Sequence, residues 1–173
     1  MTHTPVPFDE FNLNIHNAWN NQWFLLTCGD FSTQDFNNMT VSWGSLGTLW
    51  HKPMTQLFVR KSRFTFDFLE RFDTFTLSAF SKDYQKELTE LGSKSGRKMD
   101  KIHKSGLTPI ASQTISAPGY LEAETILECK KAYWQDMNIS NILDEEIIQK
   151  FYSDQGDTRI YFGEILAIFN KSK

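Results

Sequence analysis

Four side chains near residue 60 have the types and spacing expected of a phosphate site. Arg60, Ser62, Arg63 and Thr65 lie where a predicted strand gives way to a predicted helix. A helix N-terminus offers unpaired N–H groups and the positive end of the helix dipole, and guanidinium and hydroxyl groups add hydrogen bonds to an anion. The pattern indicates a phosphate site. A helix cap flanked by two solvated arginines is the alternative.

A second basic segment, at residues 93–106, is rich in Ser, Gly, Lys and Arg. It contains Ser95, Gly96, Arg97 and Lys101. Glycine lets the backbone approach a ligand closely, while Lys and Arg supply charge. The composition predicts a surface loop that closes over a phosphate or ribose, with a solvated basic loop as the alternative. The segment is not a P-loop, because the GxxxxGK[ST] pattern is absent.

Other common kinds of catalytic site lack support. The four histidines do not have metal-ligand spacing, so no metal site is predicted. Cys28 and Cys129 are isolated, which argues against a disulfide framework and a cysteine-rich metal site. The HExxH, GxSxG and GxGxxG patterns are absent, so hydrolase and Rossmann dehydrogenase interpretations are not favoured.

Size and charge restrict the classes of protein further. The chain has 173 residues and a net charge of -3, so we expect one domain over residues 1–173 and no general electrostatic footprint for nucleic acid. No run approaches the roughly 20 apolar residues of a membrane span, and the first residues do not resemble a signal peptide. We therefore expect a cytoplasmic protein that binds no membrane.

A strand with an unusual face precedes the first basic cluster. In residues 38–43, Asn38, Thr40 and Ser42 alternate with Met39, Val41 and Trp43, which is the period of a strand. The first face is small and polar and is expected to be open. A Gly-rich turn is predicted to follow it, ending at Lys52 and Pro53.

The remaining elements predict a mainly β fold with peripheral helices. Residues 121–137 allow a bulged strand or an amphipathic helix, and β-branched and aromatic residues favour the strand. Ser62 and Thr65 are predicted to cap the helix that follows them. An antiparallel barrel is favoured over a doubly wound sheet. The other predicted strands are 22–28, 55–60, 74–80 and 159–169, and the predicted helices lie within 60–72, 83–94 and 144–152.

The order of several motifs resembles the flavin reductase-like family of FMN-binding split barrels, which includes the flavoredoxins. The resemblance runs from about Trp23 to Glu164 and implies a split β-barrel of Greek-key type. The motifs, in chain order, are WFLLTCGD, NNMTVSWG, LFVRKSRFT, FTLSAF, ELTELGSKSGRKMDK followed by GLTP, LECK and YFGEI.

The resemblance also implies FMN as the cofactor and assigns residues to it. Small side chains and backbone groups of one strand would lie against the flavin ring and bind its N3, O4 and N5 edge. These residues are Asn38, Met39, Thr40, Val41, Ser42 and Trp43. The implied phosphate and ribityl contacts are Arg60, Ser62, Arg63 and Thr65. The second loop would add Ser95, Gly96, Arg97 and Lys101, from the same subunit or across a dimer interface.

The implied activity is transfer of hydride from NAD(P)H to flavin by a homodimer, with no catalytic side chain. The alternative is a flavoredoxin-like electron carrier that exchanges electrons with a redox protein partner and does not oxidise NAD(P)H. Pyridoxal-phosphate or haem chemistry on a related barrel is a third, weaker interpretation. Relatives often carry His before the YFGEI strand, where this chain has Thr158. That role is then lost, or Arg159 or another residue fills it.

Overall fold

An antiparallel sheet of eight strands forms the body of the protein. The computed structural model describes residues 2–153 and 157–172. The strands of this sheet are β1 (His3–Pro5), β2 (Phe24–Asp30), β3 (Asp35–Val41), β4 (Gly44–Leu49), β5 (Lys52–Arg60), β6 (Thr74–Ala79), β9 (Thr125–Asp136) and β10 (Thr158–Lys171). Their order is β3-β2-β6-β9-β10-β5-β4, and β1 also pairs with β10. Strands distant in the chain are therefore neighbours, as in a Greek-key arrangement.

Short helices and a small hairpin surround the sheet. The hairpin consists of β7 (Pro109–Ile110) and β8 (Gly119–Tyr120). The α-helices are α1 (Ile15–Asn17), α2 (Phe64–Arg71), α3 (Gln85–Ser93), α4 (Lys101–Lys104) and α5 (Glu145–Phe151). A π-helical turn at Ala18–Gln22 and 3₁₀ turns at Lys82–Tyr84 and Ile139–Asn141 complete the elements. No helix in the described residues combines the length and apolarity needed to cross a membrane.

The connection from β3 to β4 forces the sheet to curl into a split barrel. The two strands lie at opposite edges of the sheet, yet only Ser42 and Trp43 separate them. In a flat sheet the two edges would lie roughly 30 Å apart, because neighbouring strands are spaced by about 4.8 Å. Three residue steps span at most about 11 Å. The edges therefore meet at Trp43, whose carbonyl accepts from the Phe58 N–H at 3.4 Å.

Two apolar cores cover the two faces of the sheet. Strand alternation on β2 sends Phe24 and Leu26 into the barrel core, which also holds Leu57 and Phe75. Leu25 points the other way, into an outer core that α3 and β8 help to form. The outer core consists of Leu25, Phe80, Leu88, Leu91, Leu107, Tyr120, Ala123, Ile126 and Phe169.

Most elements agree with the sequence predictions, with ends shifted by a few residues. The predicted strands at 22–28, 55–60, 74–80 and 159–169 correspond to β2, β5, β6 and β10, and the predicted helices to α2, α3 and α5. The ambiguous segment 121–137 contains strand β9, so the favoured strand is confirmed. Its register with β10 shifts where Ala132 has no Cα partner, which is the expected bulge.

Two local predictions are wrong. The expected Gly-rich turn after residue 43 is mostly strand β4, and the turn itself is reduced to Trp50 and His51. Both residues have positive φ, 55° and 57°, as a two-residue hairpin turn requires. Neither Ser62 nor Thr65 caps α2: the helix begins after Arg63, and no side chain caps it.

Candidate functional site

A cleft lies where the barrel is split, between edge strand β3 and the segment running from β5 into α2. It consists of two adjoining cavities of about 380 Å³ and 340 Å³. Met39, Arg60 and Arg63 line both cavities, so the two form one continuous depression. We call them the basic cavity and the aromatic cavity.

The basic cavity brings the two predicted basic segments together. One wall is the end of β5 and the start of α2, and the opposite wall is the end of α3 and the loop after it. The lining residues are Asn37, Met39, Arg60, Ser62, Arg63, Phe64, Thr65, Leu91, Ser93, Lys94, Ser95, Gly96 and Lys101. Seven of the eight residues predicted from these segments therefore share one cavity.

Lys101 places a buried positive charge in the wall of the basic cavity. Only 5% of the residue is exposed. Its Nζ donates to the carbonyls of Asn38 at 2.7 Å and Leu91 at 2.8 Å, and no carboxylate in the described part of the chain pairs with it. Burial, reinforced by the charge of Arg63, lowers the pKa of Lys101 to about 8. A buried cation without a counterion is costly, so the cavity has a strong preference for an anion.

The start of α2 adds a second source of positive potential to the same cavity. Phe66 N–H donates to the Arg63 carbonyl at 3.0 Å, but no side chain caps the helix. Its leading N–H groups and the dipole can therefore act on an anion beside Phe64 and Thr65. The Arg63 Nη1 donates to the Gly92 carbonyl at 2.8 Å, which holds the guanidinium across the cavity.

The Asn38 carbonyl ties the walls of the basic cavity together. It accepts from Thr65 Oγ1 at 2.9 Å as well as from Lys101. Thr65 Oγ1 in turn accepts from Asn37 Nδ2 at 2.7 Å. Strand β3, helix α2 and helix α4 thus meet at one oxygen. Asn37 was missed from the sequence, where the predicted strand face began at the next residue.

The aromatic cavity combines apolar and polar lining residues, and two aromatic rings lie at its rim. Trp43 and Phe151 pack edge to face at its rim, with ring centroids 5.2 Å apart. Arg60 Nη2 donates to the Phe151 carbonyl at 2.5 Å and holds the end of α5 at this rim. The lining residues are Met39, Thr40, Val41, Ser42, Trp43, Phe58, Arg60, Arg63, Phe151 and Thr158.

Strand β3 presents backbone groups to the cleft because it forms the edge of the sheet. The Asn38 carbonyl faces away from β2, as its bonds to Thr65 and Lys101 show. In an antiparallel strand, residues two apart direct their N–H and C=O groups to the same side. The backbone of Thr40 therefore also faces the cleft, where it can hydrogen-bond the edge of a heterocycle.

The polar face of this strand, expected to be open, is covered by the protein itself at Asn38 and Thr40, whereas Ser42 is exposed. Asn38 Nδ2 donates to the Tyr120 hydroxyl at 2.7 Å, and Thr40 Oγ1 donates to the Leu88 carbonyl at 2.5 Å. The small side chains allow α3 to approach, since a Cβ on Gly92 would lie 3.0 Å from Thr40 Cβ. A planar ligand would therefore meet the edge of this strand rather than the side chains of Asn38 and Thr40.

Arg97 and Arg159 lie outside both cavities. Arg97 bonds the Ser62 carbonyl at 3.1 Å and the Asp67 carboxylate at 2.6 Å, behind the wall of the basic cavity. Thr158, which was expected in place of a His of the family, lines the aromatic cavity. Arg159 lies between Asp136 and Glu70, so its guanidinium does not replace that His in the cleft.

The two cavities together can accept an anion at one end and a planar group at the other. The cations and the helix start select a phosphate, and the edge of β3 with Trp43 and Phe151 suits an aromatic ring. The residues present therefore fit a phosphorylated heterocycle such as FMN.

Comparison with known protein families gives one match. The model of the flavin reductase like domain matches residues 19–173. No curated relative matches the sequence.

Solved structures share the fold at low sequence identity. An FMN-binding domain of a flavin reductases-like enzyme from Shewanella baltica OS155 has a TM-score of 0.68 at 13% identity, over 98% of this chain and 77% of that one. The flavoredoxin of Desulfovibrio vulgaris (Miyazaki F) has a TM-score of 0.68 at 20% identity, over 93% of this chain and 74% of that one. The NADH:FAD oxidoreductase of Streptomyces globisporus C-1027 has a TM-score of 0.66 at 17% identity, over 87% of this chain and 75% of that one.

Proposed function

Because this chain belongs to the flavin reductase-like family, we propose that it binds FMN in the cleft and transfers hydride from NAD(P)H to the flavin. The phosphate would occupy the basic cavity and the ring the aromatic cavity. The observation that carries this proposal is Lys101, a buried cation that shares its cavity with Arg63 and an uncapped helix start.

The residues of the chain have distinct tasks in this proposal. Lys101, Arg63 and the leading N–H groups of α2 hold the phosphate and fix the ligand's position along β3. The backbone of Thr40 orients the ring edge, and Trp43 shields the ring from water. FMN, when bound, supplies the acceptor for hydride.

Proton transfer by a side chain has no place in this mechanism. The aromatic cavity lining, within the described residues, includes no carboxylate and no imidazole. Catalysis would therefore depend on positioning two rings against each other and on backbone dipoles that stabilise the charge of the reduced ring.

An electron carrier is the second candidate, and the rim of the aromatic cavity favours it. The packed pair Trp43 and Phe151 occupies part of this rim, where a nicotinamide ring would have to lie beside it, and Arg60 helps to hold Phe151 in place. A redox protein partner could exchange electrons at this rim without entering the cavity. The fold is shared with both a flavoredoxin and an NADH:FAD oxidoreductase, so it does not separate the two candidates.

Two measurements test the proposed function in order. Titration of FMN with the protein should quench flavin fluorescence at micromolar concentration, and absence of any quenching would refute the cofactor assignment. Anaerobic stopped-flow mixing of FMN-loaded protein with NADH or NADPH should then bleach the flavin with saturable kinetics. If the bound flavin is bleached no faster than free FMN, but dithionite reduces it immediately, NAD(P)H oxidation is refuted. The electron carrier then replaces it as the proposed function.

We propose in addition that the protein is a homodimer. Large apolar side chains are exposed on one subunit, which supports a further interface. They include Trp50, Trp134, Tyr133 and Leu143. Light scattering should give twice the 20.1 kDa mass of the chain, and a monomer with FMN bound would contradict the proposal. The cytoplasmic location stays a prediction.

A further inference from the structure

At the end of the basic cavity farthest from the aromatic cavity, the loop after α3 crosses to the opposite wall, and Gly96 lies against the side chains of Asn37 and Phe64. We propose that this closure makes the site selective for flavin mononucleotide over flavin adenine dinucleotide, with Arg97 as the positioning residue that keeps it closed. The inference rests on the proposed function, because it assumes that the cleft binds a flavin. It concerns residues 94–97, which we call the closing loop.

The direction of the ligand follows from the strand along which both cavities lie. The aromatic cavity contacts β3 and its extension from Met39 to Trp43, whereas the basic cavity contacts Met39 and Asn37. The distance from residue 43 to residue 37 is roughly 20 Å at the rise of a strand, which accommodates a ring followed by its phosphate. The phosphate is therefore directed towards Asn37.

Gly96 closes the cavity beyond Asn37. A Cβ built on Gly96 would lie 2.4 Å from Asn37 Oδ1 and 3.1 Å from Phe64 Cδ1. The backbone of the closing loop at Gly96 thus packs against the side chains of Asn37 on β3 and Phe64 at the start of α2. The gap between Gly96 and these two side chains does not admit a methyl group, so a larger ligand cannot continue between them while the closing loop keeps this position.

Arg97 joins the closing loop to α2 from the outside. Its Nη1 donates to the Ser62 carbonyl at 3.1 Å and its Nη2 to Asp67 Oδ2 at 2.6 Å. Its guanidinium also lies 4.9 Å from the centre of the Phe64 ring. Arg97, the residue next to Gly96, is therefore bound to the start of α2, which also lines the cavity. Opening the end of the cavity requires breaking all three contacts.

The two flavin nucleotides differ at the atoms that this end must accept. The phosphate of FMN is terminal and carries a charge of about −1.5 to −2 near neutral pH, as other phosphate monoesters do. In FAD the same phosphate carries a single charge and continues into a second phosphate and adenosine. Lys101, Arg63 and the start of α2 match the higher charge, and the closing loop obstructs the continuation.

Calorimetric titration of the flavin-free protein with FMN and with FAD tests the proposal. The wild-type protein should bind FMN at least about 30-fold more tightly than FAD, a difference well within reach of one steric obstruction. Arg97→Ala should reduce the ratio of the two dissociation constants at least about threefold, mainly by improving FAD binding. Asp67→Asn should shift the ratio in the same direction and serves as the second variant if Arg97→Ala does not fold.

Arg71→Ala is the matched control. Arg71 lies on the same helix, pairs with Asp35 at 3.0 Å and stacks on Phe68 at 4.5 Å, but it is at the far end from the cavity. It should leave the ratio unchanged. Equal wild-type affinities, or an Arg97→Ala ratio equal to that of the wild type, would overturn the inference while leaving flavin binding intact. Failure to bind either nucleotide would instead refute the proposed function.

Discussion

Lys101 and Arg159 are two buried cations with opposite surroundings. Arg159 is 8% exposed; it bonds Asp136 at 2.6 Å and Glu70 at 2.7 Å and lies 3.6 Å from the centre of the Trp134 ring. Lys101 is 5% exposed and bonds only carbonyls. The carboxylate of Asp136 raises the pKa of Arg159, and Glu70 reinforces it, whereas burial lowers the pKa of Lys101.

The difference separates a structural charge from a binding charge. Arg159 finds its counterions within the protein, so its charge joins β9, β10 and α2 whether or not a ligand is present. Lys101 lacks a counterion in the described residues and faces a cavity, so its charge is stabilised when an anion arrives. Substitution of Arg159 should therefore lower the free energy of unfolding, whereas substitution of Lys101 should weaken the binding of the anion.

Replacement of Lys101 should have the largest effect, and it should appear in binding. A charge-assisted hydrogen bond to phosphate contributes about 1.5–3 kcal/mol, so Lys101→Met should weaken FMN binding about 10- to 100-fold. Riboflavin, which has no phosphate, should bind unchanged, and the free energy of unfolding without flavin should not fall. Lys104→Met, on the same short helix but exposed, is the control. Equal losses for FMN and riboflavin would show that Lys101 acts through the fold.

Replacement of Arg159 should act on stability instead. Arg159→Met removes the guanidinium from Asp136 and Glu70, which keep Lys61 and the Tyr161 hydroxyl as partners. Because both carboxylates are also partly exposed, we expect a loss of about 2 kcal/mol in the free energy of unfolding. Urea unfolding of the flavin-free protein measures this loss. The dissociation constant of FMN should change less than about twofold. A clear loss of FMN affinity in a folded Arg159→Met protein would contradict the comparison.

The pH dependence of FMN binding should reveal the free amine of Lys101. Below pH 8 the amine is already charged in the flavin-free protein, and above it a proton must be taken up for phosphate to bind. The dissociation constant should therefore rise about tenfold between pH 7 and pH 9. Riboflavin provides the control, since its binding should be nearly constant over this range. The same constancy for FMN would refute the role given to Lys101.

The smallest effect should be on the stability of the flavin-free protein at high pH. Raising the pH weakens FMN binding, but it should increase the contribution of Lys101 to stability. The folded pKa of Lys101, about 8, lies below its usual value of 10.5, so between these pH values the unfolded chain binds more protons. Its contribution to the unfolding free energy of the flavin-free protein should therefore increase by about 1 kcal/mol from pH 7 to pH 9. The measurable quantity is the difference between wild type and Lys101→Met at each pH. A difference that is independent of pH would contradict the lowered pKa.

The sequence predicted those parts of the fold that depend on local periodicity. The strand predicted at 22–28 and the helix predicted within 60–72 correspond to β2 and α2. The turn at Trp50 and His51 was not predictable in this way, because neither residue type favours the positive φ that the hairpin imposes. There the pairing of β4 with β5 overrides the local preference.

The candidate site was predicted in composition but not in arrangement. The two basic segments were found from their residue types, and the structure places them on opposite walls of one cavity. The face carrying Asn38 and Thr40 was expected to be open, since nothing in its own sequence shows that α3 covers it. Lys101 was among the predicted residues, but the sequence did not show that it is buried and bonded only to carbonyls. That depends on which carboxylates the fold places far from it.

Strand β10 has a consequence for the order in which the protein folds. Among the described residues, it is the only strand that pairs with both the β3-β2-β6-β9 half of the sheet and the β5-β4 hairpin. During synthesis from the N-terminus, both halves are made before the strand that unites them, and the pairing of Arg60 with Thr158 joins residues almost a hundred positions apart. Such long-range closure slows folding and leaves strand edges exposed in the nascent chain. Arg60 and Asn38 come from the two separate halves, so the cleft between them forms only when this last closure is complete.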